Sequence, residues 1–127
     1  MSDTLRHMYG TTVFVCASEG ATLRGERDAL DIIGEASYLG ADWVVVPAGR
    51  FDDDFFRLRT RVAGEIVQKF VNYRMGIAVL GDISRHTAAS SALRDFVREA
   101  NRGTQVWFTP DIDDFQHRLE EAAVARR

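Results

Sequence analysis

Residues 59–82 read RTRVAGEIVQKFVNYRMGIAVLGD, and within this stretch the hydrophobic period changes once. Val62, Ala63, Ile66, Val67 and Phe70 recur at helical spacing, while Arg61, Gly64, Glu65, Gln68 and Lys69 fall on the opposite side. That pattern predicts an amphipathic helix. After Tyr73 and Arg74 comes Ile77-Ala78-Val79-Leu80, apolar without alternation and closed by Gly81 and Asp82. A short unbroken apolar run predicts a strand covered on both faces. A helix feeding such a strand is the repeating unit of a layered α/β domain.

Upstream, Thr4 to Met8 and Thr11 to Ala17 flank Tyr9-Gly10, which predicts an N-terminal hairpin. Ser18 to Gly25 reads as a loop of small and polar residues. Arg27 to Leu39 carries Ala29, Ile32, Ile33 and Ala36 on one stripe and stops at Gly40, the signature of a helix and its end. Trp43-Val44-Val45-Val46 is a second doubly covered strand, ended by Pro47, which lacks the N–H that a central ladder needs. Pro47 to Asp54 then forms a loop whose three aspartates, Asp52 to Asp54, suit the entrance to a helix.

Downstream, Ile83 to Ser91 reads as a polar connection ending in helix-capping serines. Leu93, Phe96, Val97 and Ala100 mark a third helix stopped by Gly103, and Val106-Trp107-Phe108 a last strand. Asp111 caps a final helix with Ile112, Phe115, Leu119 and Ala122 as its buried stripe, and the tail Arg126-Arg127 is expected to fray. The order is β-β-α-β-α-β-α-β-α. Strand–helix–strand links of this length make right-handed parallel crossovers, so the expected fold is a mixed, mostly parallel sheet with helices packed on it. All 127 residues fit one domain.

The bulk composition narrows the functional classes. A content of 46% hydrophobic and 28% charged residues is that of a soluble globular chain, and no apolar run is long enough to cross a bilayer. The opening residues Met1 to Leu5 offer no export signal, so a cytoplasmic location is expected. A net charge of −3 argues against nucleic-acid and anionic-lipid partners. Cys16, the sole cysteine, excludes an internal disulfide and thiolate-pair zinc sites, and reads as a small core residue.

The motifs of common chemistries are missing: there is no phosphate-binding G-x-x-x-x-G-K-[ST], no G-x-G-x-x-G and no G-x-S-x-G. His7, His86 and His117 stand apart without ligand spacing, so no metal and no cofactor are expected, and no catalytic residue is assigned. Position is the remaining guide, because open α/β sheets meet ligands and partners at the loops leaving the carboxyl ends of their strands. Those loops hold Arg50 and Asp52 to Asp54, then Asp82, Ser84, Arg85 and His86, then Thr109 and Asp111. Asp82 has two readings, a turn aspartate bonding nearby backbone N–H groups or a carboxylate facing a partner or a ligand. Arg94, Asp95, Arg98 and Glu99 form a polar helix face with like charges at i, i+4, suited to selecting a complementary partner.

The runs LRTRVAGEIVQKFVNYRMGIAVLGDIS and ALRDFVREANRGTQVWF, with DALDIIGEA before them and FTPDIDDFQHRL after, resemble bacterial domain-of-unknown-function family 4180 from Asp28 to Leu119. That resemblance carries no activity with it. The order of elements, the helix beginning near Thr60 and the ending VWFTPDIDDFQHRL are also similar to the domain shared by sulfate transporters and anti-sigma-factor antagonists, the STAS domain, over about residues 11–125. The resemblance implies a module that binds a protein and is switched when a partner kinase phosphorylates a serine or threonine at the start of a helix. Thr60 occupies the matching place, with Arg59 where that motif has aspartate and Arg61 where it has glycine. A helix N-terminus flanked by arginines tolerates phosphate; the other reading of Thr60 is a plain N-cap.

The expectation is therefore a non-catalytic, STAS-like regulatory module that binds a protein of unknown identity. Its contacts would be Thr60, Arg61, Asp82, Ser84, Arg85 and His86, with Arg94, Asp95, Arg98 and Glu99. The alternative is a binder of a small molecule or nucleotide phosphate, even an enzyme, using Arg50, Arg61, Asp82, Ser84 and His86. Monomer and homodimer, the latter joined through aromatic residues, both remain open.

Overall fold

The computed structural model describes residues 3–125; the Arg126-Arg127 tail lies outside them. Strands β1 (Thr4–Met8) and β2 (Thr11–Val15) form the antiparallel hairpin. It turns at Tyr9 and Gly10, both at positive φ. β2, β3 (Trp43–Pro47), β4 (Gly76–Leu80) and β5 (Val106–Thr109) are mutually parallel, and the sheet order is β1-β2-β3-β4-β5. The expected mixed, mostly parallel sheet is the observed one, and Ile77 to Leu80 is an interior strand hydrogen-bonded on both sides.

The connections are α1 (Glu26–Tyr38), α2 (Val62–Asn72) and the pair α3 (Ser84–Ala89) and α4 (Ser91–Arg102), with α5 (Ile112–Ala125) at the end. Each parallel link steps to the next strand in the same direction, and crossovers of one hand then leave their helices on one face. Accordingly Ala29, Ile33 and Ala36 of α1, Ala63, Ile66 and Phe70 of α2 and Leu93 of α4 pack in one core with Val44, Val46, Ile77, Val79 and Phe108. The alternate residues Val13, Trp43, Val45, Ala78 and Trp107 face the other way, where Phe115 and Leu119 of α5 cover them.

That second face depends on one glycine. Gly76 pairs with Trp43 across the β3–β4 ladder, and a Cβ on Gly76 would sit 2.3 Å from the indole of Trp43. The missing side chain lets Trp43 lie across β4 and meet Trp107 at a centroid distance of 4.3 Å. The free edge of β5 is closed by a side chain: Phe108 donates its N–H to Oδ1 of Asn101 at 2.8 Å, and Nδ2 of Asn101 donates to the Phe108 carbonyl at 3.2 Å. Such a plug blunts an edge that would otherwise template another strand. Cys16 is buried as expected, and burial pushes its thiol up to about 12.

One element was not anticipated. The expected polar connection from Ile83 contains the short helix α3, which has no buried residue and therefore no apolar stripe to announce it. The Asp52 to Asp54 run does enter helical structure, a 3₁₀ turn over Asp53–Phe56 with Asp53 and Asp54 in its first turn.

Candidate functional site

Residues 48–61, which leave β3, and residues 81–90, which leave β4, meet at the carboxyl edge of the sheet. The first segment winds through three 3₁₀ turns, Ala48–Arg50, Asp53–Phe56 and Leu58–Thr60. Phe51, Phe55 and Phe56 anchor it in the core, with the Phe51 and Phe55 rings 4.2 Å apart and Phe56 edge-on to Phe55 at 5.1 Å. On the outer side of Phe56 the imidazole of His86 lies flat, 4.1 Å away and tilted by only 10°. This stack, with an Arg85–Asp53 ion pair at 4.0 Å, joins α3 to the 3₁₀ segment.

Nη2 of Arg85 lies 3.2 Å from Nε2 of His86. A guanidinium only donates, so in a hydrogen bond between the two Nε2 is the acceptor. In keeping with this, burial against the phenyl ring, and then the Arg85 charge, hold His86 below its ordinary value. Asp82 takes its turn-aspartate reading: its carboxylate accepts the Ser84 N–H at 2.9 Å, and the closeness of Ser84, side chain first and backbone second, holds its pKa below the usual value.

The remaining sequence-derived residues divide. Arg94 lines a groove of about 390 Å³ together with Asp82, Ser84 and Pro110. Asp95 and Arg98 pair with each other at 3.5 Å, and Glu99 pairs with Arg102 at 3.7 Å. The like charges at i, i+4 are thus accompanied by opposite charges at i, i+3, which neutralise much of the expected stripes. Arg61 stands apart from the Asp82 loop. It adopts a left-handed φ of 68° and lines a separate hollow with Glu26, Glu65 and Lys69. Arg50 is likewise withdrawn, since Nε donates to the Ala21 carbonyl at 3.0 Å and Nη1 to that of Ala17 at 2.9 Å.

Thr60 lies at the same edge, just after Leu58 and Arg59, which line the cleft against α3. The plain N-cap reading needs correcting by one residue, because Arg61 is the N-cap of α2 and makes no side-chain cap bond. Instead the Thr60 hydroxyl contacts the carbonyls of Asp54 at 2.6 Å and Arg57 at 2.7 Å, and accepts from the Val62 N–H at 3.3 Å.

Sequence reasoning missed Phe56 and Arg57 as site residues, and it named Asp53 only among the loop aspartates and Arg59 only beside Thr60. With Arg85, His86 and Ser90 they line a cleft of about 650 Å³. The one available signal was the density of charge in the long segment after β3, where Asp53, Asp54, Arg57 and Arg59 interleave with aromatic anchors. Among the described residues no group of three His, Cys, Asp or Glu is placed to hold a metal ion, and no helix is long and apolar enough to cross a membrane.

The architecture so described is an α/β protein with a sequentially ordered, mostly parallel sheet and an open cleft on its carboxyl edge. Residues 8–119 match the model of the family described as Domain of unknown function (DUF4180), and the chain belongs to that family. The match takes in the N-terminal hairpin from Met8 as well as the segment where the resemblance was read. Comparison with curated proteins and with solved structures gives no significant match.

Proposed function

We propose that this chain is a non-catalytic, STAS-like regulatory module that binds another protein through the carboxyl edge of its sheet. The observation that carries the reading is the Phe56–His86 stack. It pins two segments distant in sequence into one surface, with Arg57, Arg59 and Arg85 around an open cleft. The order of elements, and the sequential sheet with its connecting helices on one face, support the likeness to STAS domains. Thr60 serves in this reading as an internal clamp rather than a phosphoacceptor. A phosphate on its oxygen would bring negative charge against the two carbonyls that the hydroxyl now contacts.

The volume of the cleft also suits a small ligand, which is the second reading. It is the weaker one, because Arg50 and Arg61, two of the residues it called on, are engaged elsewhere. Affinity capture from the producing cells with the wild-type chain, an Arg85→Glu/Arg94→Glu variant and an Arg6→Glu control separates the readings. The expected result is a protein held by wild type and control and reduced at least fivefold on the double variant. Identical captures from all three would sink the reading. A thermal-shift response to nucleotides or metabolites in place of a captured protein would favour the second.

A further inference from the structure

Three hollows on the carboxyl edge share lining residues and so lie side by side, a trough of neighbouring hollows. The largest, about 650 Å³, is lined by Arg57, Arg59 and Arg85 beside Phe56 and His86. The next, about 270 Å³, shares Phe56, Arg85 and His86 with it. That one shares Asp82 and Ile83 with the groove that reaches Arg94 and Pro110.

The charge of the large hollow runs against that of the whole chain. Three guanidiniums line it against one carboxylate, Asp53, in a protein of net charge −3. They are also incompletely neutralised. Arg57 lies 3.3 Å from Asp54, Arg85 is 4.0 Å from Asp53, and Arg59 has no ion-pair partner among the described residues. A single carboxylate is satisfied by one forked arginine, whereas a phosphate monoester carries close to two charges and three free oxygens and is matched by a cluster.

The hollow is open as well. The side chains of Arg57 and Arg85 are 57% and 82% exposed, so a ligand seated among them stays partly in water. Small-molecule sites bury most of their ligand. A trough continuing past the charged hollow is the form that suits a length of chain.

We infer that the trough docks an extended segment of a partner protein carrying a phosphorylated side chain, with the phosphate among Arg57, Arg59 and Arg85 and the flanking residues directed toward Arg94. The inference rests on the protein-binding reading above and specifies the chemistry of the bound segment. His86 supplies an internal reporter. It lies beside Arg85, whose charge helps hold its pKa down, and a phosphate close by would favour its protonated form and raise its titration midpoint.

The test is an NMR titration of the full chain with four probes: a degenerate five-residue peptide pool with central phosphoserine, the same pool with serine, the same pool with glutamate, and inorganic phosphate. The phosphoserine pool is expected to move the Arg57, Arg59 and Arg85 signals and raise the His86 midpoint. It should bind at least tenfold more tightly than each of the other three probes. Arg59→Gln should weaken it at least fivefold without disturbing the remaining spectrum, and Arg6→Gln on β1 should leave it unchanged. Equal binding by the glutamate pool, equal binding by inorganic phosphate, no response, or a response surviving Arg59→Gln would each overturn the inference. If the phosphoserine pool fails while Arg85→Glu/Arg94→Glu still loses a captured protein, the phosphate inference falls and the protein-binding reading stands. If both fail, both fall.

Discussion

The two ends of the parallel sheet are built differently. At the amino ends of the strands the chain turns within residues 39–42, 73–75 and 103–105, using left-handed residues such as Gly40 at φ 78° and Arg74 at φ 55°. Backbone bonds tie these turns to neighbouring strands: Asp42 donates to the Thr12 carbonyl at 2.7 Å, Gly76 to that of Asp42 at 3.0 Å, and Ile77 to that of Gln105 at 2.9 Å. The hollow at this end balances Arg74 against Asp42. At the carboxyl ends residues 16–25 and 48–61 are long connections in which side-chain bonds add to backbone ones, such as the Leu23 N–H to the Arg50 carbonyl at 2.7 Å and the Thr60 N–H to that of Arg57 at 2.9 Å. Arg50 ties down residues 17–21, Thr60 closes the 3₁₀ segment, Asp82 caps toward α3, and the Ser90 hydroxyl accepts from the Leu93 N–H at 3.1 Å to start α4. Backbone-locked turns leave little room for variation. Long loops can change their surface residues while the sheet stays as it is, which is why loops on a rigid scaffold so often carry recognition.

The sharpest way to break this contrast is at the amino end. Gly76→Ala drives a methyl group into the Trp43 ring and should cost about 3 kcal/mol. That corresponds to a fall in Tm of roughly 10 °C in a calorimetric scan. An unchanged Tm would mean that the tryptophan does not rest on β4 in solution. At the carboxyl end the largest stability effect should come from Thr60→Val, which removes a hydroxyl contacting two carbonyls, at about 1–2 kcal/mol. A urea midpoint equal to that of wild type would contradict those bonds.

Arg59→Gln should change unfolding stability by no more than about 0.5 kcal/mol, because the side chain is exposed and unpaired among the described residues. A large loss would show Arg59 to be part of the scaffold and would blur the contrast. The smallest effect is expected on acidification. The unfolded chain takes up a proton at the ordinary histidine value, 6.5, while His86 in the folded chain does so only at lower pH. Between the two the unfolded state binds more protons, so stability declines as pH falls through that window. His86→Gln should make the Tm less sensitive between pH 7.5 and pH 5.5. An unaltered slope would indicate that the imidazole is not seated against Phe56.

The same contrast explains what could be read in advance. The interior strands were legible because both faces are covered, which leaves Val44 to Val46 and Ile77 to Val79 without a polar residue. α1, α2, α4 and α5 each bury one stripe, and Gly40 and Gly103 mark where two of them stop. α3 was not legible, since a helix that buries nothing leaves no period. Within the site, Asp82, Ser84, Arg85 and His86 followed from the rule that places function after the carboxyl ends of strands. Their partners Phe56 and Arg57 did not, Asp53 came only as one of the loop aspartates and Arg59 only as a neighbour of Thr60, and Arg50 and Arg61 were drawn in although their side chains turn away.

Periodicity and turn residues, local properties of the chain, determined which segments are strands and helices, and with the handedness of crossovers they determined a layered α/β architecture. Tertiary structure alone decided that His86 would lie on Phe56, that three arginines would line one cleft and that Arg50 would be consumed in holding a loop. Those outcomes depend on contacts between segments far apart in the chain. Such contacts are selected by packing and charge in three dimensions, and they leave no regular spacing in the sequence.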